Sequence, residues 1–267
     1  MWFLAYADAA PREAYDVVFN AVADADDALA DRIAAFAAGT RAAILNPPER
    51  TARTARAAAA TLFADVPGLI VPPTRRIEAA SDSAGLDADG EWLLRPVGSH
   101  GGEGLARLTL AQAARRWDGR PHYLTAYRDF RSTDGLYRKY RMFFVDRVAF
   151  PYHLAIHEDW LVHYQTSLTP RRADLIEEER RYLEDPRAAL GDVAYEAIRQ
   201  VGLRLDLDFA GIDFSVLPDG RALLFEANAT MCVHDEPEES PLAFKNVHVR
   251  RILEAFWARL ERGGISG

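Results

Sequence analysis

The stretch from Asp208 to Met231, "DFAGIDFSVLPDGRALLFEANATM", joins two apolar runs through Pro218-Asp219-Gly220. Successive side chains of a strand point to opposite faces, so Ala210, Ile212, Phe214 and Val216 share one face and Gly211, Asp213 and Ser215 the other. On the return strand Glu226 and Asn228 share a face. A four-residue loop, Pro218 to Arg221, pairs Leu217 with Ala222 and sets Asp213 opposite Glu226, with Asn228 diagonal to it; a three-residue loop breaks this register. Opposed, half-buried carboxylates repel unless one is protonated or a cation lies between them. Two carboxylates and a carboxamide oxygen are the hard ligands Mg²⁺ takes, usually sharing its shell with phosphate oxygens and water. The hairpin therefore implies a divalent ion with a nucleotide nearby. The alternative is an edge hairpin whose polar residues face water.

The rest of the chain bounds this reading. Its 267 residues, 49% of them hydrophobic, can bury a full core in one large domain or two small ones. The single Cys232 excludes an internal disulfide framework and a zinc site built from several thiolates. No apolar run reaches the roughly 18 to 20 residues of a membrane span, and the opening "MWFLAYADAAPREAYD" turns acidic too early for a signal peptide, so a cytoplasmic protein with no membrane partner is expected. The net charge of -8 argues against nucleic acid as the main partner, though a local basic groove can still hold a nucleotide phosphate.

Periodicity lays out the elements. "YDVVFNAV" (15–22) reads as a strand, "DADDALADRIAAFAAGT" (24–40) as a helix ending at Gly39, and "RAAILNPP" (41–48) as a second strand. This makes residues 1–48 a short α/β unit leaning on a larger domain over 49–267. A single helix is expected from Glu49 to Asp65, stopped by Pro67-Gly68, and "LIVPPTRRI" (69–77) is extended by its prolines. From Trp92, "WLLRPV", "HYLTAYRDF", "YRKYRMFFVD" and "RVAFPYHLAI" read as an antiparallel sheet interrupted by the glycine loop "GSHGGEG". Two helices follow over 170–202, then the hairpin, then a closing amphipathic helix over 241–261. The class is α+β.

The glycine loop can bring bare backbone N–H groups against an anion, but it has neither the P-loop nor the dinucleotide-binding spacing. Together with "NPPERTARTARAAAATLF", "YLTAYRDF", "FPYHLAI", "DWLVHY" and the final hairpin, it makes residues 46–260 resemble the ATP-grasp superfamily, with glutathione synthetase-like and ribosomal-protein-modifying carboxylate–amine ligases as the nearest look. That resemblance implies two α+β subdomains gripping ATP after a reduced N-terminal domain, or one whose start lies upstream. It implies one or two Mg²⁺ ions on Asp213, Glu226 and Asn228, and a flap of Gly101, Gly102 and Gly104, with Ser99 beside it, on the β- and γ-phosphates. Arg95 and Arg56 stand near the family's two phosphate-binding Lys positions. Thr125, Ala126 and Tyr127 form the hinge whose backbone reads adenine, and Arg141 stabilises the transferring phosphoryl group.

Departures from the family pattern concern the ribose and acceptor regions. Lys139 stands two residues before Arg141, where an acidic ribose contact is usual, and Asp129 is the substitute. Ile156, beside His157, replaces an Arg, His163 takes the place of an Asn as a phosphate or substrate contact, and the Pro-Gly usual after the hairpin is missing. The expected activity is ADP-forming ligation of a small-molecule or peptide carboxylate to an amine through an acyl phosphate; the sequence is silent on oligomeric state, though homodimers are frequent in the family. An ATP-grasp kinase and a non-catalytic nucleotide-binding module are the alternatives. His153 and His157 share a strand face without a third metal ligand, and Tyr137, Tyr140 and Phe143 read as core.

Overall fold

Strand pairing divides the described residues into three sheets. In the computed structural model, which describes residues 15–22, 27–99 and 102–264, β1 (Val17–Phe19) and β2 (Ala43–Leu45) pair in parallel across helix α1 (Asp27–Gly39). A four-stranded sheet runs β4-β7-β5-β6, from β4 (Thr74–Ile77), β5 (Glu91–Pro96), β6 (Ala106–Thr109) and β7 (His122–Ala126). A five-stranded sheet runs β3-β11-β10-β8-β9, from β3 (Leu69–Ile70), β8 (Tyr137–Val145), β9 (Val148–His157), β10 (Phe209–Val216) and β11 (Ala222–Asn228). The strands from Trp92 onward thus belong to two sheets, not the single one expected. Pro72-Pro73 mark the same division upstream, sending Leu69–Ile70 to one sheet and Thr74–Ile77 to the other.

The helices cover the sheets. α5 (Ala173–Glu184), α6 (Pro186–Leu190) and α7 (Asp192–Leu205) replace the two helices expected there, because Pro186 and the positive-φ Gly191 break the run twice. They bury the even-numbered face of β8 and β10, where Met142, Phe144, Ala210, Ile212 and Phe214 pack against Tyr182, Ile198 and Val201. Each Ile or Phe so buried contributes about 1.5–3 kcal/mol. The opposite face of β8 is apolar at its ends, where Tyr137, Phe143 and Val145 are buried as core, and charged in the middle, where Lys139 and Arg141 stand. α8 (Asn246–Gly264) closes one end of that face through Val249 and Ile252, packed on Phe143 and Phe209. α4 (Leu110–Arg116), opened by a Thr109–Gln112 capping box, adds Ala113 to the core of the small sheet.

Two local departures shape the cleft. The helix expected over 49–65 breaks into α2 (Pro48–Thr51), a 3₁₀ turn at Ala52–Thr54 and α3 (Arg56–Leu62), with Ala55 extended at ψ 133° between them. The Thr51 and Thr54 hydroxyls donate to the Pro48 and Thr51 carbonyls, the local competition that weakens a helix at such residues. In the β10–β11 hairpin, Leu217 N–H donates to Arg221 O and Gly220 N–H to Leu217 O, so the loop has three residues, with Gly220 at φ +83°. By itself that loop offsets the register by one. A bulge at Phe225 restores it, and Asp213 still pairs with Glu226.

The N-terminal unit is tied in by Asn46. Its left-handed backbone (φ 55°) aims a buried carboxamide at β10, accepting from the N–H groups of Asp208 (2.9 Å) and Phe209 (3.0 Å) and donating to Phe209 O. Phe19 packs edge-on against Phe209 and Phe256.

Candidate active site

The charged middle of the large sheet faces the small sheet across a cleft of about 650 Å³, within the range of small-molecule sites. Its lining brings together Arg56 from α3, Arg95 from β5, Gly102 from the glycine loop, Thr125, Ala126 and Tyr127 from β7 and its exit, Lys139 and Arg141 from β8, His163, and Asp213, Glu226 and Asn228 from the hairpin. Ser99, Gly104 and Asp129 are placed outside the lining: Ser99 Oγ donates to Pro96 O, Gly104 turns against the Pro96 ring, and exposed Asp129 caps Arg131 N–H. Gly101 lies outside the described residues.

The opposed carboxylates are balanced by cations of the chain itself. Arg141 grips Asp213 with two parallel bonds, Nε to Oδ1 at 2.6 Å and Nη2 to Oδ2 at 2.9 Å, and Lys139 Nζ stands 3.6 Å from the same carboxylate. Arg56 donates to Glu226, with Arg95 at 3.6 Å from the same oxygen. Burial opposes ionisation of Asp213, but the Arg141 and Lys139 charges override it and hold the carboxyl below the ordinary carboxylate range. Burial likewise works against the Arg141 charge, and Asp213 raises its pKa regardless. The Asn228 carboxamide oxygen accepts from Thr230 N–H at 2.8 Å. Five cations (Arg56, Arg95, Arg128, Lys139 and Arg141) face two carboxylates here, on a chain whose net charge is -8. The site is a basic groove in an acidic protein.

Two regions flank this charged centre. At the end of β7 expected as the hinge, Ala126 and Tyr127 commit their N–H groups to the Pro73 and Glu91 carbonyls, and Thr125 and Thr74 share a hydroxyl hydrogen bond. The Tyr127 ring lies under the Arg107 guanidinium at 3.8 Å and edge-on to Trp160 at 5.9 Å, while Val71, Leu93, Phe130 and Leu223 supply apolar walls. In the glycine loop, Gly102 has φ +80° and an added Cβ would sit 2.5 Å from His163 Cε1, so backbone conformation and close approach both require glycine there. Burial, with Lys139 and His157 nearby, lowers the His163 pKa.

Several lining residues escaped sequence reasoning. Trp160, Tyr152, Tyr164, Met231, Cys232 and His234 occupy loops or strand faces whose partner is remote; Tyr152, Trp160, Tyr164 and Met231 fall within stretches that carry the resemblance, but nothing local marks them as lining. His153 lines the cleft, whereas His157 accepts from Asp159 N–H at the strand end.

The residues present fit a divalent ion by donor type, since two carboxylates and a carboxamide are hard oxygen donors of the kind that hold Mg²⁺ alongside phosphate. Among the described residues, no group of three or more His, Cys, Asp or Glu is placed to hold a metal ion. No helix among them is long and apolar enough to cross a membrane.

No family model and no curated protein matches this chain. Solved structures do. The N5-carboxyaminoimidazole ribonucleotide synthetase PurK, in its ADP complex, superposes with a TM-score of 0.58 at 17% identity over 90% of this chain and 60% of its own. The ATP-grasp ligase PsnB, bound to precursor peptide PsnA2 and AMPPNP, gives 0.51 at 16% identity, over 92% of this chain and 77% of its own. A RimK-domain ATP-grasp protein from Sphaerobacter thermophilus gives 0.50 at 16% identity, over 91% and 81%. The chain therefore has the α+β ATP-grasp fold. At these identities the likeness carries the architecture alone.

Proposed function

We propose that this protein is an ATP-dependent carboxylate–amine ligase, in which the cleft binds Mg·ATP and a carboxylate is activated as an acyl phosphate before an amine attacks it. The observation that carries the reading is the convergence of Arg56, Arg95, Lys139 and Arg141 on the Asp213–Glu226 pair, between two sheets that leave an apolar slot at the hinge. An apolar slot next to concentrated positive charge suits a base linked to a polyphosphate.

Asp213, Glu226 and Asn228 would hold the magnesium, which supplies charge neutralisation at the phosphates. If the carboxylates turned to it, Arg56, Lys139 and Arg141 would exchange these internal partners for phosphate oxygens, with Arg95 beside them. A substrate carboxylate oxygen attacks the γ-phosphorus while the bond to the β-bridging oxygen breaks, and ADP carries away the electron pair. An amine nitrogen then attacks the acyl carbon, phosphate leaves, and the nitrogen's proton passes to solvent. Arg141 stabilises the charge of the transferring group, and the Arg56–Glu226 exchange orders the phosphates. Alignment and electrostatics carry the rate, so no covalent nucleophile is needed.

The test is a thermal-shift series with Mg²⁺ alone, ADP alone and both, followed by ADP release against panels of carboxylates and amines. Mg²⁺ alone should move the midpoint little, because its carboxylates are engaged by arginines, and the pair should move it by more than the sum. ADP release should need a carboxylate and an amine together. Release that needs only a hydroxyl acceptor assigns a kinase; tight Mg·ATP binding with no turnover on any acceptor assigns a binding module.

A further inference from the structure

One polar side chain of the cleft has no counterpart in the scheme above. The register of the large sheet places four residues in a single row across adjacent strands: Glu226 beside Asp213, Asp213 beside Arg141, and Arg141 beside His153. Neighbouring strands lie about 4.8 Å apart, so His153 stands one strand spacing past Arg141, on the side away from the carboxylate pair. It lines the cleft, is 3% exposed, and neither ring nitrogen has a hydrogen-bond partner. The Tyr164 ring is stacked on it at 4.5 Å, with 15° between the planes, fixing its orientation.

Buried polar groups in folded proteins are nearly always hydrogen-bonded, which makes two unmet nitrogens inside a ligand cleft a feature that a bound partner would relieve. Burial, with Arg141, Lys245 and Lys139 close by, pushes the imidazole far below its ordinary range and keeps it neutral, with one N–H to donate. A protonated amine at this position would face the Arg141 and Lys139 charges, whereas a carboxylate is drawn to them.

We propose that His153 is a substrate-binding residue: its ring N–H, together with the Arg141 guanidinium, holds the carboxylate that is to be phosphorylated. The assignment rests on the ligase reading and deepens it, because the row then runs in the order of the reaction, from the metal-binding carboxylates through the phosphoryl-binding arginine to the acceptor.

The experiment uses acetate as the minimal carboxylate. Protein with ¹⁵N-labelled histidine rings is saturated with Mg·ADP and titrated with acetate, the His153 signals being those that vanish in His153→Phe and in His153→Gln. The expected result is a saturable shift of the His153 ring resonances. His153→Phe should keep Mg·ADP affinity within about twofold and lose acetate affinity tenfold or more, the scale of one hydrogen bond to a charged group. His153→Gln, which retains a donor, should restore most of that loss, and it also serves if the Phe variant does not fold. Mg·ADP binding with His153 signals that stay still up to 0.5 M acetate, or an unchanged acetate affinity in His153→Phe, overturns the assignment alone. Failure of Mg·ADP to bind at all overturns the ligase reading and this assignment with it.

Discussion

Asp213 is 3% exposed and ionised because Arg141 and Lys139 stand against it. A carboxylate buried this deeply is tolerated only with partners, and removing one side of such a pair costs about 3–5 kcal/mol. Asp213→Asn should therefore lower stability by about 3 kcal/mol near neutral pH, measured by urea unfolding. The pH dependence follows from the sign of the shift. The folded-state pKa lies below the unfolded value of about 3.9, so the stabilisation is fully present above that value and is lost as pH falls through the folded pKa. The gap between wild type and Asp213→Asn should narrow between pH 5 and pH 2; a gap that stays constant over that range would show that the carboxylate is not ionised through its contact with Arg141. The acidic pair itself was legible from alternation along the hairpin. Its balance was not, since Arg56 reaches Glu226 from 170 positions away and no local pattern encodes that contact.

At the scale of elements, the hairpin and α7 show how packing edits what local patterns imply. Counting from the turn predicts the Asp213–Glu226 pairing through a four-residue loop, while the molecule achieves it with a three-residue loop and a bulge at Phe225. Both routes keep the apolar face of β10 on the helices, and burying that face is the larger energy, so the ladder yields where the turn does not. The Ala-rich segment over 49–65 is a good helix former throughout, yet it breaks at Ala55, where the two threonine hydroxyls bond back and Arg56 turns into the cleft. α7 lies close against the sheet at Gly202, where an added Cβ would sit 2.3 Å from the Phe144 ring. Alanine is about 1 kcal/mol better than glycine in a helix interior, but overpacking a buried ring that cannot retreat costs about 1–3 kcal/mol. Gly202→Ala should lower stability by about 1–2 kcal/mol in denaturant unfolding, without changing Mg·ADP affinity. A stabilised variant would mean that α7 is free to slide off Phe144.

For the whole molecule, the charge distribution matters more than its sum. A chain of net charge -8 gathers five cationic side chains around two carboxylates in one cleft, so its attraction for a polyphosphate is local and open to screening. Raising NaCl from 50 to 500 mM should weaken Mg·ADP binding several-fold by calorimetry, mainly through a slower association rate; salt-independent binding would place the nucleotide outside this groove. The sequence by itself determined the alternating faces of β10, the acidic residues of the hairpin, the closing helix and the α+β class, because strand and helix periods are local and burial enforces them. Only the tertiary structure decided that the strands after Trp92 divide between two sheets, that arginines from α3, β5 and β8 meet the hairpin carboxylates, and that His153 follows Arg141 in the same row. Those are choices of partner between segments far apart in the chain, and partner choice is settled by which apolar faces can be buried together, a property of the assembled fold that no short window contains.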